Sequence, residues 1–245
     1  MKKFLKYTIL IFAVIAIWQY FGTTNSIVRL YISSPSLIID YFSVNYLRLL
    51  EATMITFAEA FLGLIFATLL SFTIMVICFY RPKFLEFILP IMVTSQVIPI
   101  IVLAPFFIIL FGIGLTSKIV MAMVISFFPI FVNFVQGYKA IPKNIHEIMF
   151  IYKAPTSFKI KNVYFPLAMP SIMAGLKISA TLSVIGAIVA EFTGAKLGIG
   201  KNLFVSSIRL DPDLMMTSLI LASFIGLVIY GIIRLVEKQY GSWYQ

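Results

Sequence analysis

Six long apolar stretches alternate with short mixed segments along the chain. They span 4–21, 55–79, 88–112, 119–136, 171–193 and 214–235. Each approaches or exceeds the ~20 apolar residues with which an α-helix crosses a bilayer core of ~30 Å. The pattern predicts an all-α membrane protein with about six transmembrane helices. The first run follows Lys2, Lys3 and Lys6, as the core of a signal peptide would. No small-x-small cleavage site follows residues 18–21, so it reads as a retained span. The third run is interrupted by Pro90, Pro99 and Pro105. An interior proline removes a backbone hydrogen bond and clashes one turn back. In lipid, carbonyls freed this way must face protein or a cavity. This span is expected to be broken and interior, with Gln96 and Pro99 beside a hydrated pathway.

Lysines and arginines orient the spans. With the N-terminus in the cytoplasm, the inner segments hold Lys2, Lys3, Lys6, Arg81, Lys83, Lys139, Lys143, Lys153, Lys159, Lys161, Arg234 and Lys238. The outer segments hold Arg29, Arg48, Lys118, Lys196, Lys201 and Arg209, and Lys177 lies within a span. The twelve-to-six bias places both termini in the cytoplasm.

Composition agrees. Hydrophobic residues are 61% of the chain and charged residues 11%, too few to cover a soluble core. The net charge of +10 is scattered rather than striped, so it reports topology and implies no nucleic-acid partner. Cys78 and His146 are each the single residue of their type, which excludes a disulfide framework or a metal cluster from this sequence. There is no G-x-x-x-x-G-K-[ST] phosphate loop, and the glycine pairs 112/114 and 198/200 read as turns.

Between the fourth and fifth spans lies HEIMFIYKAPTSFKIKNVYFPLAMP, residues 146–170. Asn144 and Glu147 fit a capping box, and Ile145, Ile148, Met149 and Tyr152 recur at helical spacing. Pro155 is expected to stop this helix. Thr156 or Ser157 would cap a second short one, which Pro166 and Pro170 would end. An apolar stripe outside the bilayer has two readings: a helix lying in the headgroup layer, or one docking in a groove of a cytoplasmic partner.

Ionisable groups in apolar spans mark candidate sites. Glu191 either lines the pathway or sits at the interface paired with Lys196, and Glu59 is expected to pair with Lys177. Asn133 and Gln136 read as interhelical hydrogen-bond glue. Gly175, Gly186 and Gly194 give the fifth span a small surface for close packing, as a dimer-interface helix would have.

The 146–170 segment resembles the cytoplasmic loop of binding-protein-dependent ABC importer permeases, whose pattern is Glu-Ala-Ala, three residues, Gly, then nine residues to Ile-x-Leu-Pro. Glu147 stands at the Glu position and Phe165-Pro166 at the Leu-Pro; Ile148 and Met149 replace the alanines, and Lys153 replaces the glycine. The flanks extend the resemblance over roughly residues 34–235. They include Leu103-Ala-Pro-Phe-Phe, Phe111-Gly-Ile-Gly-Leu-Thr-Ser-Lys118, Phe127-Phe-Pro-Ile-Phe-Val-Asn-Phe-Val-Gln-Gly137 and Ile185-Gly-Ala-Ile-Val-Ala-Glu-Phe-Thr-Gly-Ala-Lys-Leu-Gly-Ile-Gly200. These runs are similar to permeases for sulfonates, taurine, nitrate, riboflavin and thiamine-pyrimidine precursors. A lysine at the glycine position can stay in the helical basin, so the bend is expected from Pro155.

The resemblance implies a type I importer permease fold in a bacterial cytoplasmic (inner) membrane. Residues 1–54 would hold the first span and an extracytoplasmic helix, 55–235 the permease core with a coupling loop at 138–170, and 236–245 a cytoplasmic tail. The chain would pair with a second permease subunit, usually an identical one in this branch, two ATP-binding subunits and an extracytoplasmic solute-binding protein. It would carry no cofactor and no catalytic residue, ATP and Mg belonging to the ATPase. The coupling residues implied are Glu147, Ile148, Met149, Tyr152, Lys153, Ala154, Pro166 and Pro170; the pathway residues are Gln96, Pro99 and Glu191. The rival readings are a stand-alone secondary transporter or channel, which would need charge relays or an inverted repeat, and a membrane enzyme, which would need converging acid, base or nucleophile groups.

Overall fold

Two glycines set the seam between the fourth and fifth predicted spans. A Cβ added at Gly186 would lie 2.7 Å from Ala122 Cα, and one at Gly175 would lie 2.8 Å from the Pro129 carbonyl. Lipid tails are as apolar as leucine, so helices in a membrane associate by close packing rather than by escape from water. These glycines let the fourth and fifth predicted spans approach backbone to backbone inside one subunit. That use replaces the dimer-interface role expected of Gly175 and Gly186.

The computed structural model describes residues 2–240. Its helices are α1 (Lys2–Thr24), α2 (Ser26–Arg29), α3 (Pro35–Tyr80), α4 (Pro82–Ser95), α5 (Ile100–Phe111), α6 (Leu115–Lys139), α7 (Lys143–Ile151), α8 (Thr156–Lys159), α9 (Phe165–Gly194), α10 (Ile199–Arg209) and α11 (Pro212–Tyr240). Among the described residues there is no strand. Five helical stretches among the described residues are long and apolar enough to cross a membrane. The broken pair α4–α5 occupies the place of the predicted third span.

The α6–α9 pair is the axis of the fold, with α3 against both and α11 against α9. Buried between them are Met75, Ile130, Phe131, Phe134, Ile172, Ile225 and Ile229. Phe72 sits 5.2 Å from the rings of both Phe134 and Phe165 and locks α3 to the seam. By contrast α1 is exposed along most of its length. It is tied at its end, where Trp18 Nε1 donates to the Ser33 carbonyl at 2.9 Å and Gln19 Nε2 donates to Ser36 Oγ at 2.8 Å.

Two predicted boundaries move. The helix that leads into the second span and the span itself are one 46-residue helix, α3, and the boundary drawn at residue 54 falls inside it. Ser34 is its N-cap and Pro35 opens its first turn, as proline's fixed φ suits. A kink at Asn45 (φ −110°, ψ 15°) divides it, and Asn45 Nδ2 donates to the Tyr41 carbonyl at 3.0 Å. A side chain entering the hydrogen-bond ladder is a standard cause of such a bend. At the other end of the bundle, Pro166 and Pro170 do not terminate a helix. A π-helical turn, Ile160–Tyr164, joins α8 directly to α9, and Phe165 N–H reaches back to the Ile160 carbonyl. The wider turn precedes Pro166, which has no N–H to give, so the helix continues past both prolines.

Candidate functional site

The loop between α6 and α9 is built on an aromatic cluster at the end of the bundle. Tyr138 at the end of α6 meets the Phe79 ring at 4.9 Å and the Tyr164 ring at 5.3 Å. His146 on α7 lies edge-on to Tyr138 at 5.6 Å, and its Nδ1 is 3.2 Å from Tyr164 Oη. The single histidine therefore pins α7 to α6 and to the π turn. Sequence reasoning gave it no role, because its partners are 8 and 18 residues away.

Held this way, α7 turns much of its apolar surface outward. Phe150 and Tyr152 are each 79% exposed, and Ile148 and Ile151 are exposed with them. The predicted stripe was Ile145, Ile148, Met149 and Tyr152. Ile145 and Met149 are half-buried, so the free surface is centred further toward the C-terminus of α7. Phe150 and Ile151 were missed for that reason. Glu147 is exposed on the first half of α7.

The ends of α7 differ from expectation. No capping box forms. Pro142 occupies the N-cap position and its carbonyl accepts from Ile145 N–H at 3.1 Å, so Asn144 falls inside the first turn, too late to cap. Neither Thr156 nor Ser157 caps the next helix, since Pro155 holds that position. Lys153 is left-handed, with φ +49°. Ala154 N–H donates to the Met149 carbonyl at 3.1 Å and Lys153 N–H to the Phe150 carbonyl at 3.0 Å. This pair of bonds is the Schellman arrangement, with its left-handed residue at the site where glycine is usual. Lys153 therefore keeps the glycine's conformation, and the bend expected from Pro155 is made two residues earlier.

At the opposite end of the bundle two carboxylates are fully buried. Glu59 Oε1 accepts from Lys118 Nζ at 2.8 Å, rather than pairing with Lys177. Lys177 instead bridges α9 to α11 through Glu237, at 2.7 and 2.8 Å. Glu191 is 0% exposed, so it is enclosed by its own subunit and is not paired with Lys196 at an interface. Its Oε1 accepts from Thr56 Oγ1 at 2.6 Å and its Oε2 from Gly200 N–H at 2.5 Å. Ile199 N–H in turn donates to Thr56 Oγ1 at 2.8 Å. Glu191 and Thr56 thus satisfy the first N–H groups of α10, which a helix start leaves unpaired. Gly198 makes this fit possible: its φ is +137°, and a Cβ there would collide with the Glu191 carboxylate. Thr56 was not singled out from the sequence, since nothing local marks it; Gly198 was read as a turn glycine, without its contact to Glu191. A cavity of about 420 Å³ lies beside this network, lined by Glu59, Lys118 and Lys196 among others.

The third predicted span is broken where expected. α4 ends at Ser95, α5 starts at Ile100, and Gln96, Val97 and Ile98 make three-residue turns back to Val93, Thr94 and Ser95. Thr94 and Ser95 hydroxyls donate to the Pro90 and Met92 carbonyls at 2.9 and 2.7 Å. Gln96 and Pro99 are exposed, as are Val97, Ile101, Val102 and Ile109. The span is not interior to the single subunit; Ala104 is the position of α5 buried by it. Asn133 is not interhelical glue either, for its Nδ2 donates to the Pro129 carbonyl of its own helix at 2.8 Å, and Gln136 is exposed.

Comparison with known proteins adds to this geometry. The family model described as the binding-protein-dependent transport system inner membrane component matches residues 61–241. A probable ABC transporter permease protein of Haemophilus influenzae is 28% identical over 93% of this chain and 93% of its own length. The riboflavin transport system permease protein RibX of Chloroflexus aurantiacus is 32% identical over 63% of this chain and 58% of its own. The formylaminopyrimidine transport permease protein ThiX of Halalkalibacterium halodurans is 29% identical over 77% and 75%. In three dimensions, an inward-facing form of the MetNI methionine ABC transporter matches with a TM-score of 0.69 and 21% identity, covering 80% of this chain and 97% of that one.

Proposed function

The chain belongs to the family of binding-protein-dependent transport system inner membrane components, the permeases of ABC importers, and on that premise we propose how its surfaces are used. Two copies form the translocation pathway at their interface in the bacterial cytoplasmic membrane, with the α7 end in the cytoplasm. The exposed faces of α4 and α5, with Gln96 and Pro99 at the break, line that pathway. A solute-binding protein delivers the substrate at the α10 end. Two ATP-binding subunits, which carry ATP and Mg, sit beneath the α7 end. Their closure draws the two loops together and turns the pathway outward, and hydrolysis resets it. The cargo is a small nutrient of the sulfonate, nitrate, riboflavin or pyrimidine-precursor type, as the names of relatives such as RibX and ThiX support.

The observation that carries this reading is α7. It is an anchored helix outside the bundle whose Ile148, Phe150, Ile151 and Tyr152 are left uncovered by the described chain. Burying one such side chain in a partner groove stabilises the complex by roughly 1.5–3 kcal/mol. Ile148→Asp should therefore weaken retention of the ATP-binding subunit by more than about tenfold and remove substrate-stimulated ATP hydrolysis. Full retention with unchanged stimulation would leave α7 as a helix resting on lipid.

A further inference from the structure

We infer that Lys153 is a partner-selecting residue: the turn ending α7 fixes its ammonium beside the apolar tip, and the ATP-binding groove that receives the tip carries a carboxylate opposite it. The inference rests on the docking role proposed for α7.

The first observation is conformational. Lys153 has φ +49°, and the two Schellman bonds hold it there. A side chain with a Cβ pays an energetic penalty in this region that glycine does not. The turn itself therefore gives no reason for lysine. An outlier that the fold holds in place points to a use for its side chain.

The second observation is electrostatic. Lys153 is exposed, and the described ion pairs, Lys118–Glu59 and Lys177–Glu237, leave it out. Over residues 138–170 the loop carries Lys139, Lys143, Lys153, Lys159 and Lys161 against the single acid Glu147. Charged surfaces that meet are arranged with opposite sign, so the receiving face is acidic. Of these lysines, Lys153 is the one next to the exposed tip, following Phe150, Ile151 and Tyr152 directly. When the tip enters an apolar groove, water leaves the neighbourhood of this ammonium, which strengthens its attraction to a facing carboxylate. A bland role also exists, because a cation at a helix C-terminus complements the helix dipole. That role acts within the chain and needs no partner.

The test uses the full chain copurified with its ATP-binding subunit, comparing wild type, Lys153→Gly and Lys153→Glu at low and high salt. Lys153→Gly keeps the left-handed turn and removes the charge, so its melting temperature in detergent should equal or exceed that of wild type. The inference expects Lys153→Gly to weaken assembly by at least about thirtyfold at low salt, the scale of losing one partner of a desolvated pair, and to flatten its salt dependence. Lys153→Glu should weaken it further, and a carboxylate-to-lysine exchange in the receiving groove should restore it. Unchanged affinity and salt dependence in both variants would overturn the inference. So would variants that lose only binding to anionic lipid vesicles while assembly stays intact, since the cation would then serve the membrane surface. Ile148→Asp separates the two levels: if it too retains the ATPase, docking itself is wrong; if it alone loses it, only the role of Lys153 falls.

Discussion

Thr56 and Glu191 lie 135 residues apart and share a 2.6 Å hydrogen bond. Through it α3, α9 and the start of α10 meet at one point, with Ile199 and Gly200 N–H groups completing the contact. Glu191→Ala would leave the buried Gly200 N–H without its acceptor, at about 1–3 kcal/mol, and would turn the Thr56 hydroxyl over to the Ala52 carbonyl, 3.1 Å away. We expect the melting temperature in detergent to fall by roughly 5–10 °C. Glu191→Gln keeps an acceptor oxygen and should lose clearly less. Equal losses in the two variants would mean that bulk, not hydrogen bonding, is what Glu191 supplies.

The Glu59–Lys118 pair predicts non-additivity. Removing one partner of a buried pair leaves an uncompensated charge, a loss of roughly 3–5 kcal/mol. Glu59→Gln and Lys118→Met should each destabilise strongly, while the double variant should be closer to wild type than the sum of the singles. Additive losses across that cycle would show that the two groups do not act as a pair.

The glycines give a steric contrast. Gly186→Ala places a Cβ 2.7 Å from Ala122 Cα, which is backbone and cannot swing aside, whereas Gly231→Ala meets nothing within 4 Å. Overpacking of this kind costs about 1–3 kcal/mol. Thermal melts should show Gly186→Ala lowered by several degrees and Gly231→Ala unchanged or slightly raised, alanine being the better helix former.

Orientation can be read by labelling. In a background lacking Cys78, Lys201→Cys should react with a membrane-impermeant thiol reagent in intact cells and Lys143→Cys should not. The reverse pattern would invert the topology deduced from lysine and arginine placement.

A cysteine at Gln96 should react with small water-soluble thiol reagents, and its reactivity should change when the assembled transporter is trapped with ATP. Lack of reaction in every state, while neighbouring lipid-facing positions behave as lipid-facing, would remove Gln96 from the pathway.

Much of the fold was legible because bilayer crossing imposes a length and a polarity that composition displays directly. The break near Gln96 was legible too, at Pro99, although Pro90 and Pro105 lie inside α4 and α5 without ending them. What was not legible were pairings between distant residues. Glu59 was expected to meet Lys177, but α6 starts at Leu115 and brings Lys118, counted as an outer-segment residue, to it instead. Glu191 looked like a pathway residue because carboxylates in spans usually are, and the donors that reach it, the Thr56 hydroxyl and the Gly200 N–H, carry no charge to advertise them. The loop misled in a third way. Asn144 and Glu147 have capping spacing, but Pro142 had already started the helix. Lys153 in a glycine's conformation runs against residue preference, and only the surrounding hydrogen bonds impose it.

The π turn before Pro166 makes the two sides of the loop mechanically unlike. From Thr156 to Gly194 the chain is 39 residues without a loop, a shaft of about 58 Å. On the other side, α7 is joined to α6 through the short non-helical step at Ala140, Ile141 and Pro142. A load applied near Thr156 is carried along this shaft to Glu191, and through its carboxylate to the first turn of α10. One end of the subunit is thereby geared to the other by a single rod, whose far bearing is a carboxylate seated against Gly198.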